Sequence, residues 1–135
     1  MDSKIHAENL IEAREILELS AVKWAAERRT QEDLHNIKAA QIAFCEQIID
    51  GEDAIGEDLL FHLAVVSASK NNVLKSLFMK IFSDLSELLN ETKGRDTREF
   101  FHAIDEHDTI IKHITTQNKE AAVEIMRQHL KKWRK

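Results

Sequence analysis

Proline is absent from the 135 residues, and glycine occurs only at Gly51, Gly56 and Gly94. Helix breakers are therefore scarce and strand signals are missing, while Leu, Ala, Glu, Lys, Ile and Gln dominate, which points to an all-α protein. A single cysteine, Cys45, excludes an internal disulfide. Set in IAFCEQII, it reads as a small core residue in a reducing compartment, and the expected location is cytoplasmic. No apolar run approaches the roughly 18 residues of a membrane span, and the polar opening MDSKIHAENL is no secretory signal, so no membrane partner is expected. An excess of positive charge is also missing. The net charge is −5 with His neutral, which argues against this chain gripping a phosphate backbone across a broad surface.

What is present suits one domain. A hydrophobic content of 43% supports a real core, and 32% charged residues describe a solvated surface rather than a disordered chain. The first helix is expected from residue 3 or 9 to 29, with Leu10, Ala13, Leu17, Ala21 and Trp24 at three- and four-residue spacing. Thr30 caps a second helix, with Leu34, Ile37, Gln41, Phe44 and Ile48 on its stripe until Asp50-Gly51 ends it. The short link predicts that these two helices form an antiparallel pair. A third helix is expected from residue 53 or 56 to 69, closed at Lys70-Asn71-Asn72, where asparagine tolerates left-handed backbone. The fourth, from residue 72 to 91, has the clearest apolar stripe (Leu74, Leu77, Phe78, Ile81, Phe82, Leu85, Leu88, Leu89), which predicts a central position or a subunit contact. The polar stretch NETKGRDTR makes a loop before a fifth helix, from residue 96 to 117, carrying Phe100, Ala103, Ile104, His107, Ile111 and Ile114. Asn118 caps a sixth, with Ala122, Met126, His129 and Trp133 on one face and a cationic end. The expected fold is a single antiparallel bundle of about six helices around a central metal or ligand pocket.

Three histidines and one aspartate occupy positions where such a bundle normally carries leucine: Asp58 and His62 in EDLLFHLAVV, His107 in AIDEHDTII and His129 in EIMRQHLKKW. Unpaired imidazoles and carboxylates are costly in an apolar interior. Asp58 and His62, four residues apart, sit roughly 40° apart around one helix, close enough to share an ion. One carboxylate with three imidazoles suits a divalent Zn, Ni, Co, Mn or Fe ion, and the lack of sulfur weakens a structural thiolate site. The competing reading is that these histidines are packed and hydrogen-bonded without metal. His102, Glu106, Thr109 and His113 share the polar face of the fifth helix, and His6 and His35 lie near helix starts, so all are expected to face water. Arg14, on the stripe of the first helix, needs an anionic partner. Glu18 supplies one four residues later, or a small bound acid does.

Taken together, EAREILELSAVKWAA, EDLLFHLAVVSASKNNVL, EHDTIIKHI and AAVEIMRQHL resemble the opening, D-x-x-x-H, central-histidine and closing helices of the FCD domain, the C-terminal ligand-sensing domain of FadR-type regulators in the GntR superfamily. The resemblance spans nearly the whole chain, residues 1–135. It implies Asp58, His62, His107 and His129 as ligands of a divalent metal, with Arg14 and Asn71 beside a pocket for a small carboxylate effector. It also implies a homodimer. Family members carry a winged helix-turn-helix ahead of this region, and here Met1-Asp2-Ser3 begins almost at the sensing domain, so DNA binding is expected only through an N-terminal domain absent from this chain.

The expected function is a metal-dependent sensor and not an enzyme. A metal-dependent hydrolase is the first alternative, lacking an obvious general base because Glu57 and Glu106 are expected to face solvent. A di-iron site at Glu32/His35 and Glu99/His102 has the right spacing but sits off the main stripes. A metal-free helical interaction module is the third.

Overall fold

The computed structural model describes residues 3–91 and 97–132. Six helices follow one another: α1 (Ser3–Arg28), α2 (Gln31–Ile49), α3 (Ile55–Ala68), α4 (Asn72–Asn90), α5 (Thr97–Thr115) and α6 (Lys119–Lys131). No strand occurs among the described residues, and none of the described helices is long and apolar enough to cross a membrane. Trp133, the end of the cationic terminus and residues 92–96 of the polar loop lie outside the described residues.

Local chemistry sets the boundaries. Thr30 Oγ1 accepts from the Asp33 backbone N–H while Asp33 accepts from the Thr30 N–H, a reciprocal cap that starts α2 with only Arg29 and Thr30 between it and α1. Gly51, at φ +76°, supplies the left-handed residue that closes α2. Asn71 and Asn118 cap α4 and α6 by accepting from Leu74 and Ala121. The left-handed residue between α3 and α4 is Lys70, not an asparagine: Asn71 is needed as a cap, and Lys70 Nζ is held by Asp33 at 2.7 Å.

Two expectations about packing are corrected. The helices α1 and α2 do not run along each other; α2 packs on α3 and α5, while α1 packs on α3, α4, α5 and α6. The tight cap at Thr30 turns the chain aside, and Arg29 is fixed to the carbonyl oxygens of Ile114 and Thr115 at the end of α5. Nor is α4 central. Among the described helices it touches only α3 and α1, burying Leu74, Phe78, Leu85 and Leu89, while Val73 and Leu77 remain 72% and 44% exposed. Its apolar arc is wider than two neighbours can cover, so a strong stripe here marks a partly covered helix. The centre belongs to α1 and α3, between one apolar cluster built on Val22, Ile37, Phe61, Ile110 and Met126 and another built on Leu59, Phe78 and Leu85.

Candidate metal centre

Asp58 lies in the first turn of α3, and His62 one turn later projects from the same face. With α2 packed on both α3 and α5, and α6 packed on α5 and α1, His107 and His129 are delivered to the same point. One ligand atom from each of Asp58, His62, His107 and His129 lies within 4.8 Å of the others, and all four side chains are buried. Two ligands of one zinc ion lie at most about 4.2 Å apart, twice a bond of about 2.1 Å, so the group is close to the dimensions of a coordination sphere and would contract onto an ion.

Each imidazole is oriented from behind. His107 Nδ1 donates to Gln41 Oε1 at 2.8 Å, and the Gln41 amide is itself fixed because its nitrogen donates to the Ile104 carbonyl and to Asp108 Oδ1. His129 Nδ1 donates to Glu106 Oε1 at 2.8 Å, and His62 Nδ1 donates to Glu18 Oε1. All three Nδ1 protons are committed outward, which turns the three Nε2 atoms inward, free to ligate once His62 gives up its second proton, the arrangement of metal-ligating histidines.

Two of the inward atoms lack a hydrogen-bond partner, and the other two have only each other. His107 Nε2 and Asp58 Oδ1 approach to 3.0 Å yet are not aligned as a hydrogen bond, and neither finds one elsewhere. His62 Nε2 faces His129 Nε2 at 3.2 Å across stacked rings. A lone pair opposite a carboxylate, and two ring nitrogens opposite each other, are stable only with a proton or a cation between them. The donor set fits a divalent ion.

Charge around the site is divided. Burial disfavours a charged His62, but Glu18 and Asp58 outweigh it and raise the imidazole to about 9. Burial also opposes ionisation of Glu18, yet His62 and Arg14 bring its carboxyl down to about 2. His107 is driven the other way: burial pushes it down to about 4 against the pull of Asp58, with Phe61 stacked on its ring at 3.8 Å and Phe44 at 4.8 Å. Burial likewise lowers His129. The Asp58 carboxyl lies well below its usual range: burial opposes this, and the imidazoles of His62 and His107 prevail. Without metal, a proton on His62 is thus the cation that lies between Glu18 and Asp58.

Arg14 is buried and pairs with Glu18 Oε2 at 2.5 Å, so it supports His62 through that carboxylate. An acid reaching Arg14 has to compete with Glu18. Asn71 is not gathered with the four: its side chain caps α4, beyond the end of α3. His6, His35 and His102 are exposed as expected, and His113 is half-buried. Glu106 departs from its expected solvent position, because the end of α6 crosses it and engages its two oxygens with His129 and Lys132. Glu57 is hydrogen-bonded by Gln47. Neither carboxylate is an idle general base. Glu32, His35, Glu99 and His102 are all exposed, so the di-iron spacing gathers nothing.

Three supporting residues escaped the sequence reading as site residues. In the sequence Glu18 stands out only as one possible partner of Arg14, and Gln41 only as a stripe position. Their signal was a polar side chain on a buried face; Glu106 gave none, since its partner comes from another helix.

A family model described as the FCD domain matches residues 9–132. The HTH-type transcriptional regulator LutR of Bacillus subtilis (strain 168) is 32% identical over 131 residues, covering 94% of this chain and 60% of that protein. The Uxu operon regulator of Haemophilus influenzae is 30% identical over 125 residues, covering 90% of this chain and 47% of that protein. The chain therefore spans about half to three-fifths of these relatives. The solved structure of E. coli McbR/YncC superposes with a TM-score of 0.84 at 19% identity, over 98% of this chain and 67% of that one, a likeness of fold.

Proposed function

Because the chain belongs to the FCD domain family of GntR-superfamily transcriptional regulators, we propose that it is a metal-dependent sensor of a small organic acid. Asp58, His62, His107 and His129 would hold one divalent ion of Zn, Ni, Co, Mn or Fe. When bound, that ion supplies a Lewis-acidic centre with coordination positions left for a carboxylate. The observation that carries this reading is the three inward Nε2 atoms whose Nδ1 partners are all fixed, set around a carboxylate oxygen that makes no hydrogen bond.

The regulatory output lies in a longer cytoplasmic protein, where an N-terminal winged helix-turn-helix binds DNA and this domain biases its arrangement. Effector control requires different affinity for the acid in the two arrangements. The exposed apolar positions Val73 and Leu77 on α4 support a homodimer. Arg14 acts on this site through Glu18 and His62, and Asn71 through its cap on α4, so their part in acid sensing is one of positioning. Metal content of protein purified without a polyhistidine tag tests the core of this reading. One ion per chain is expected, lost in His107→Ala and His129→Ala and kept in His102→Ala; equal loss in all three would refute it.

A further inference from the structure

A cleft between α2, α3, α5 and the end of α6 reaches the ligand group, with Phe44 and Phe100 as apolar walls and the buried Asp58 and His129 in its lining. Its lining also carries the carboxylates of Glu99 and Glu106 and the ammonium of Lys132. Three carboxylates stand against the Lys132 ammonium and the His62 imidazolium beside Asp58, which leaves one negative charge in excess, so the bare cleft disfavours an anion. A dication held by Asp58 and the three imidazoles, taking the place of the His62 proton, cancels that excess. Lys132 Nζ lies 3.0 Å from Glu106 Oε2, while Glu106 Oε1 accepts from His129 Nδ1 at 2.8 Å. The ammonium at the rim is thus linked through one carboxylate to a ligand imidazole. Arg14 does not line this passage; it reaches His62 from the Nδ1 side, through Glu18.

Building on the metal reading above, we infer that this cleft admits a small carboxylate only after the metal is held, and that Lys132 is the specificity-determining cation at its mouth. The incoming carboxylate draws Lys132 from Glu106. Glu106 then acts on His129 with its charge undivided, which tightens the hold on the metal, and by reciprocity the metal tightens the hold on the acid. The passage is narrow, so acetate is the appropriate probe, and Co²⁺ reports its arrival through its visible ligand-field spectrum.

In Co²⁺-loaded protein, acetate should shift that spectrum. Lys132→Met should require about fivefold more acetate, the scale of one half-exposed ion pair, while Lys132→Arg should behave as wild type. All three proteins should keep the same thermal transition and take up Co²⁺ stoichiometrically, and metal-free protein should give no heat with acetate by calorimetry. Equal acetate affinity in Lys132→Met and wild type overturns the assignment, as does binding of acetate to metal-free protein. If Co²⁺ binds and acetate leaves the spectrum unchanged, this inference falls and the metal reading stands; if Co²⁺ does not bind, both fall.

Discussion

Gln41 shows how much one side chain can decide. With its amide nitrogen engaged by Ile104 and Asp108, only its oxygen can meet His107 Nδ1, so the imidazole must carry its proton there and present Nε2 inward. Gln41→Leu should therefore lower metal affinity by about ten- to a hundredfold, read by competition with a chromophoric chelator. A variant that binds metal as wild type would show that the tautomer is set some other way. Asp58, His62, His107 and His129 were legible because each breaks an apolar stripe. Their outer partners were not, because a carboxylate such as Glu106 on a polar face looks solvated until the helix that crosses it is known. His62 adds a second test. Raised to about 9, it holds a proton that metal must displace, so binding at about pH 7.5 should release about one proton per ion, measured by calorimetry in buffers of different ionisation heat. Binding without proton release would contradict the charge assigned to His62.

At the scale of elements, caps were the readable signals. Thr30, Gly51 and Asn118 end or begin helices as their chemistry dictates, and the six helices follow. What patterning could not supply was which helices meet: a wide apolar stripe on α4 and a helix with charged residues on its buried face, α1, exchanged their expected places. Burial of Arg14 and Glu18 explains the weak stripe of α1, since both positions serve His62 rather than the core. Asn71 separates capping from ligand binding. Asn71→Ala removes the acceptor for the Leu74 N–H and should cost about 1 kcal/mol of stability in chemical denaturation, with metal affinity unchanged. A large loss of metal with no loss of stability would place Asn71 in the site instead of at the helix end.

For the whole molecule, opposed shifts give metal-free protein a stability maximum. The folded pKa of His107, about 4, lies below its unfolded value of 6.5, so stability is lost as pH falls from 6.5 towards 4. That of His62, about 9, lies above 6.5, so its contribution is complete below 6.5 and is lost as pH rises towards 9. Thermal melts of metal-free protein should peak near pH 6.5, and saturating Zn²⁺ should remove the decline on the alkaline side because His62 no longer holds its proton. A profile that Zn²⁺ leaves unchanged would deny any link between metal and fold. The most direct measurement is an anomalous-difference map from crystals grown with Zn²⁺. A single strong peak should lie among Asp58, His62, His107 and His129; peaks confined to exposed histidines such as His35 and His102, with none inside the bundle, would contradict the metal centre outright.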